Sequence, residues 1–267
     1  MKWSLQMLPT AEVDVPYPEV YWMERFQDWT TLQFQMGILR SGDYTVLVNT
    51  GFPEEISGIK QAWQEYLGDR AILKRSDDWK TESHLERLGI HPDEITHVII
   101  TPIQIYATGN LHLFKNAKIC FSRKGWTEDV IAPTYSHQVP RQGCISDEHL
   151  AWLLFENESN CLLMEDNHEL LPGLSCRWVG VHHRSSIAVE ANTQNGTAIL
   201  SDCAFHYANV EESRPLGIAE SIIEAHSAYD YLRKQAKPFI PLYDPLVQKR
   251  FKGGIVAISS KANRHEL

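Results

Sequence analysis

Strand-forming and helix-forming runs follow one another along the chain in an order that occurs twice. Alternating or β-branched runs predict strands over 31–39, 44–49, 96–101, 117–122, 161–164, 174–181, 186–191, 197–200 and 238–242. Apolar residues at helical spacing predict helices over 54–67, 81–88 and 218–234. Two groups of strands, each accompanied by helices, predict two sheets packed face to face with helices outside, which is an α/β layered sandwich.

The chain contains no obvious internal boundary. Its 267 residues include no repeat, low-complexity tract or Gly/Ser linker, so we expect a single domain over residues 1–267. Residues 1–30 precede the first predicted strand, and we expect them to form an extension packed on this domain. The extension is rich in large apolar side chains. These side chains could pack into the core, line an acyl pocket or form the contact of a homodimer. We predict the homodimer. These side chains are Tyr17, Tyr21, Trp22, Met23, Phe26 and Trp29.

Charge and composition exclude several classes of protein. The chain has 25 Lys and Arg against 34 Asp and Glu, a net charge of -9, which disfavours a nucleic-acid partner because phosphate binding depends on Lys and Arg. No apolar run is long enough for a transmembrane helix, and residues 1–18 lack the apolar centre of a signal peptide. The 5 widely spaced cysteines are typical of reduced thiols. We therefore expect a cytoplasmic globular protein without a nucleic-acid or membrane partner.

Several phrases of the sequence occur in an order that resembles a known family. A strand ends in Asn-Thr-Gly at 49–51, the run 89–101 leads into a loop, and Gly-Asn-Leu-His follows at 109–112. Leu-Pro-Gly at 171–173 and Leu-Ser-Asp-Cys-Ala at 200–204 come later. From about residue 31 to 251 this order is similar to the metallo-β-lactamase superfamily, and within it to the N-acyl-homoserine lactonase-like branch. The resemblance implies a four-layer αββα sandwich of the metallo-β-lactamase type.

The metal ligands implied by the resemblance differ in this chain. The family holds two zinc ions with a His-x-His-x-Asp-His loop, a third histidine on a later strand and a fourth before an Asp-Pro pair. Asp202 alone keeps its identity, at the position that bridges the two metals, and Phe205 replaces a tyrosine that assists the substrate carbonyl. We therefore predict loss of the zinc pair and no metal cofactor. The residues at the other ligand positions are Pro102, Gln104, Tyr106, Ala107, Gly180 (or Val181) and Tyr243.

The candidate catalytic residues are Asp202, His182, His183, Tyr106 and Tyr243. The two histidines follow the lost ligand position by two or three residues, and on a strand they would point to opposite faces, so that one enters the pocket. Each is either a general base or relocated ligand, or a histidine with a structural hydrogen bond. Asp202 either orients a histidine or caps backbone donors.

The candidate ligand contacts are Gln104, Phe205, His137 and His206. Gln104, Tyr106 and Tyr243 are expected to fill the space of the two zinc ions and to hydrogen-bond one another, because buried polar groups need partners. In the competing interpretation the tyrosines are acid/base or substrate-orienting groups.

Three function classes follow. The first is a metal-independent acid/base enzyme acting on a small ester, lactone or amide, and the second is an inactive relative that binds a small molecule or a protein. The third, a rebuilt single-metal site using Asp202, is the least favoured, because histidine ligands are missing from all the family positions.

Overall fold

The computed structural model describes residues 1–133 and 141–258. The described strands are β1 (Ser4–Pro16), β2 (Trp29–Ser41), β3 (Tyr44–Val48), β4 (His97–Ile99), β5 (Lys118–Ser122), β6 (Cys161–Met164), β7 (Asn167–Leu171), β8 (Leu174–Trp178), β9 (Ile187–Thr193), β10 (Gly196–Ser201), β11 (Phe239–Pro241) and β12 (Ile255–Ala257).

The described α-helices are α1 (Tyr17–Val20), α2 (Ser57–Leu67), α3 (Thr81–Arg87), α4 (Ile105–Thr108), α5 (Arg123–Gly125), α6 (Arg141–Cys144), α7 (Asp147–Phe155), α8 (Tyr207–Glu211), α9 (Ile222–Gln235) and α10 (Leu246–Arg250). A π-helical turn, Trp126–Ile131, continues α5. Short 3-10 turns lie at Asp77–Trp79, Pro92–Glu94, Leu111–Leu113, Glu158–Asn160 and Lys252–Gly254.

The described strands form two sheets. The larger has the order β12-β1-β2-β3-β4-β5-β6, and β3 to β6 are parallel neighbours. The smaller has the order β11-β10-β9-β8-β7, antiparallel except for the β10–β11 pair. β4 and β10 both lead directly into the loops that carry the candidate residues, so the sheets bring these loops together.

The core is divided by the larger sheet because successive strand residues face opposite sides. In β3, Val46 and Val48 pack between the two sheets, whereas Leu47 packs on the outer side with Leu85 of α3 and Leu153 of α7. Ala225, Ala228, Tyr229 and Leu232 of α9 are buried, and they cover the smaller sheet. The result is the predicted order of layers, helix, sheet, sheet and helix.

The beginning of the chain differs from the expected extension. β1 pairs with β2 from Ser4 to Pro16 and also with β12, so it is an internal strand of the larger sheet. Its apolar side chains alternate less regularly than a half-exposed strand requires, because a β-bulge at Pro9–Ala11 shifts the register. The other elements that were not predicted are β7, β12, α1, α4, α5, α6, α7, α8 and α10. The remaining boundaries agree within a few residues, as in α9, which begins at Ile222 rather than at residue 218.

Among the described residues, no helix combines the length and the apolar character needed to cross a membrane.

Candidate functional site

Asp202 lies immediately after β10 and is completely buried between the two sheets. Its Oδ1 accepts a hydrogen bond from Thr101 Oγ1 at 2.5 Å. Its Oδ2 accepts one from Ser186 Oγ at 2.5 Å and one from His182 Nδ1 at 3.1 Å. Thr101 follows β4 of the larger sheet, and Ser186 precedes β9 of the smaller one. The carboxylate therefore joins the sheets through hydrogen bonds to protein groups, as a buried charge requires.

His182 is neutral in this environment. Burial, as the largest cause, and the neighbouring His183 lower its pKa to about 4, although the hydrogen bond to Asp202 opposes the shift. Because Asp202 can only accept, Nδ1 carries the proton and Nε2 is the unprotonated nitrogen. His182 is thus a neutral donor to Asp202.

Aromatic rings surround the position between Asp202 and α4. The rings of Tyr106 and Tyr243 lie 5.9 Å apart, and Phe34 contacts both, at 4.9 Å and 4.8 Å between ring centroids. Phe205 packs on Tyr243 at 4.8 Å and on the His182 ring at 4.7 Å. Tyr243 Oη is buried and has no hydrogen-bond partner among the described residues. Desolvation first, and then nearby negative charge including Asp202, raises the pKa of both tyrosines well above the ordinary value, so the phenols stay protonated.

His182 and His183 lie in the loop between β8 and β9 and not on a strand, so the strand alternation expected from the sequence does not apply. Both are buried, and their rings lie 4.0 Å apart. The two histidines have different hydrogen-bond partners. His183 Nδ1 lies 3.3 Å from Glu220 Oε1, whereas His182 contacts Asp202. Val181, at the start of this loop, has a φ of 74°. A β-branched residue rarely adopts this conformation, and surrounding contacts must hold it.

A second polar cluster lies on the other side of His183. Asp129, in the π-helical turn, is 8% exposed, and its Oδ2 accepts a hydrogen bond from the Ser185 backbone N–H at 2.9 Å. Glu220 Oε2 is buried without a described partner. A cavity of about 10 Å³ lies among these groups, which is the space of roughly one water molecule. Its lining consists of Gln104, Glu128, Asp129, Pro133, Cys144, His183 and Glu220.

Gln104 does not join the tyrosines as the sequence suggested. Its Nε2 points to Cys144 Sγ at 3.5 Å, and the side chain borders the small cavity. Burial raises the pKa of Cys144 to about 12, with Asp129 as the next cause, so this thiol is protonated at neutral pH.

His206 lies away from Asp202. It precedes α8, its Nδ1 accepts from Tyr21 Oη at 3.0 Å, and its Nε2 donates to the Thr31 carbonyl at 3.1 Å. It lines a separate cavity of about 410 Å³ with Asp244 and Lys249. His137 lies outside the described residues. Sequence reasoning missed Thr101, Ser186, Asp129 and Glu220, whose roles depend on contacts between distant segments.

Across residues 1–133 and 141–258, no three His, Cys, Asp or Glu side chains are grouped so that they could hold a metal ion. At the Asp202 position the neighbours within hydrogen-bonding distance are two hydroxyl groups and one imidazole.

Known proteins with the same fold include several lactone hydrolases. The N-acyl homoserine lactonase AiiB of Agrobacterium fabrum is 22% identical over 206 residues, which cover 75% of this chain and 74% of AiiB. A structure of an N-acyl homoserine lactone hydrolase, with the product N-hexanoyl-L-homoserine bound at its catalytic metal centre, has a TM-score of 0.78 and 18% identity, covering 94% of this chain and 98% of its own. AidC, a dizinc quorum-quenching lactonase, has a TM-score of 0.62 and 10% identity, covering 97% and 92%. No protein-family model matches the chain. The predicted α/β sandwich of the metallo-β-lactamase type is confirmed.

The neutral state of His182 predicts a pH-dependent stability. Between the ordinary pKa near 6.5 and the folded value of about 4, the unfolded chain binds a proton that the folded chain does not. The free energy of unfolding should therefore fall as the pH decreases through this window, by up to about 3 kcal/mol from this residue. We expect His182→Asn, which cannot titrate, to remove that part of the slope in urea unfolding between pH 7 and 4.5. The exposed His226→Asn should keep the original slope, and equal slopes in all three proteins would contradict the assignment.

Proposed function

We propose that the protein is a metallo-β-lactamase-superfamily hydrolase that cleaves a small ester, lactone or amide without the zinc pair of its relatives. The observation that carries this proposal is the His183–Glu220 pair, at 3.3 Å, beside a polar cavity of about 10 Å³. A histidine oriented by a carboxylate next to a bound water is the arrangement needed for general-base hydrolysis.

Two relatives support the proposed substrate class. AiiB is named an N-acyl homoserine lactonase, and one structure with this fold holds the opened product of such a lactone. Both facts support an acyl compound as substrate, since lactones, esters and amides share the same reacting carbonyl group.

The side chains around Asp202 do not fit a zinc pair. Proline and alanine offer no ligand, and a neutral phenol or a carboxamide binds zinc poorly beside imidazole and carboxylate. The remaining carboxylate already accepts hydrogen bonds from Thr101, Ser186 and His182. We infer that hydroxyl and imidazole donors now stabilise, through hydrogen bonds, the negative charge that the metals would balance.

In this mechanism His183 performs the reaction and His182 supports it. Glu220, as an acceptor, keeps the proton on His183 Nδ1, so that Nε2 is available to take a proton from water. The resulting hydroxide oxygen attacks the acyl carbon. His182, held by Asp202 and packed 4.0 Å from the His183 ring, fixes the position of the base. Asp202, His182, Tyr106 and Tyr243 are therefore assigned a positioning role in place of the catalytic role expected from the sequence.

A second candidate function is ligand binding without turnover. The cavity of about 410 Å³ beside Tyr21, His206 and Lys249 supports it, because this volume is within the range of small-molecule sites. The sealed aromatic packing of Tyr243 and Phe205 supports it as well. The turnover experiment below distinguishes the two candidates.

A cytoplasmic location is also proposed, and the unpaired state of all five cysteines supports it.

The first test concerns metal. We expect the purified protein to retain well below one equivalent of zinc, manganese or iron after dialysis, and its thermal unfolding temperature to be unchanged by chelator, because binding that does not occur adds no stability. Elemental analysis and thermal scans measure both quantities. AidC, as a dizinc protein, serves as the positive control. A stoichiometric metal, or a large drop in unfolding temperature with chelator, would contradict the proposal.

The second test concerns the base. We expect the wild-type protein to hydrolyse N-hexanoyl homoserine lactone or p-nitrophenyl acetate faster than buffer does, in the presence of chelator. His183→Gln and Glu220→Gln should lower kcat/KM by about 100-fold or more, since removal of a general base has effects of this order. His226→Gln, an exposed histidine change on α9, is the matched control and should retain activity. Absence of wild-type turnover would favour the ligand-binding candidate.

The third test concerns assembly. The homodimer predicted from the sequence is proposed here because Trp22, Met23 and Phe26, which lie within five residues of one another, are 49%, 63% and 62% exposed. Light scattering at micromolar concentration should give the mass of two chains. A mass close to one chain would reject the dimer.

A further inference from the structure

We propose that Asp129 is the general acid of the His183–Glu220 site and delivers a proton to the leaving oxygen or nitrogen as the acyl bond breaks. This inference rests on the proposed hydrolase function. It adds a proton donor, which the hydrolysis of alkyl esters, lactones and amides needs because their leaving groups are strong bases.

The position of Asp129 suits this role. Its carboxyl group borders the same small cavity as His183 and Glu220, and it is 8% exposed. The Ser185 backbone N–H donates to Oδ2 at 2.9 Å, which orients the carboxyl group. Ser185 lies two residues after His183, so the same loop carries the base and holds the acid.

Close backbone packing fixes the spacing between the two groups. A Cβ atom on Gly125 would lie 2.2 Å from the Ser185 Cα, so only glycine allows α5 to approach this loop so closely. Asp129 follows in the same continuous helical segment, four residues later. The acid and the base are therefore attached to two backbone segments in direct contact, as a preorganised site requires.

Burial favours the protonated form of Asp129. Burial is the largest cause that raises its pKa, and the Glu220 carboxylate adds to the effect, whereas Ser185 and His183 act in the opposite direction. Arg184 does not compensate, because its guanidinium group lies at 3.4 Å from Glu128 and at 3.0 Å from Glu224.

The reaction balances with water as the only co-reactant. The water oxygen bonds to the acyl carbon as His183 Nε2 takes one water proton. The tetrahedral intermediate then breaks its bond to the leaving oxygen or nitrogen, which receives the proton of Asp129. The imidazolium of His183 returns a proton to the Asp129 carboxylate, directly or through a water molecule. The products are a carboxylic acid and an alcohol or amine, and both side chains regain their starting states.

The test uses two substrates whose leaving groups differ. p-Nitrophenolate leaves without protonation, whereas the alkoxide of N-hexanoyl homoserine lactone needs a proton. We expect Asp129→Asn to hydrolyse p-nitrophenyl acetate within about threefold of wild type, but the lactone about 100-fold more slowly. Asparagine can still accept the hydrogen bond from Ser185, and Asp129→Glu should restore part of the lactone activity. Asp78→Asn, at an exposed aspartate in a 3-10 turn, is the matched control.

The outcomes separate this inference from the proposed function. Wild type must first hydrolyse both substrates. If Asp129→Asn then slows the two reactions equally, or slows neither of them, Asp129 is not the acid and the hydrolase proposal stands. If the thermal unfolding temperature of Asp129→Asn falls steeply, the ratio of the two activities in Asp129→Glu decides the question. If wild type hydrolyses neither substrate, both proposals are overturned together.

Discussion

The Asp202 carboxylate is the interaction on which the two sheets and the candidate site depend. It is completely buried, and it accepts hydrogen bonds from Thr101 at the end of β4 and from Ser186 at the start of β9. Thr101 Oγ1 also accepts from the Ile187 backbone N–H at 2.9 Å. An ionised group in this position must be paired, because an unpaired buried charge has a very large desolvation cost. The two hydroxyl groups thus hold the strand ends of the two sheets together.

This network divides the neighbourhood into two parts with different properties. On the Asp202 side, aromatic rings of Tyr243 and Phe205 exclude water, and His182 is neutral. On the other side, His183 and Glu220 meet a polar cavity that has room for roughly one water molecule. Hydrolysis needs a base that can reach water, so we propose that the reaction takes place in the second part. The first part supplies rigidity.

The fold could be predicted from the sequence because the patterns that indicate its strands and helices are local. Except for His97, residues 96–101 are β-branched, as is typical of a buried parallel strand, and β4 lies within them. β1 was missed for a comparable local reason. Two prolines and a bulge at Pro9–Ala11 interrupt its alternation, and only pairing with β2 over its whole length defines it as a strand. The candidate histidines were found through their spacing from a family position. Their hydrogen-bond partners and their burial could not be predicted from that spacing.

The sequence by itself determined the αββα sandwich and the presence of Asp202 at its strand end, because periodicity and residue identity are properties of the chain alone. Only the tertiary structure decided which groups meet. Asp129 and Glu220 are separated by 91 positions in the sequence (220 − 129), and no local pattern relates them. They border one cavity because Gly125 allows its helix to approach Ser185, and because the loop with Val181 in a left-handed conformation turns His183 towards Glu220. Burial and neighbouring charge then set the protonation of these groups, and both depend on the packed fold.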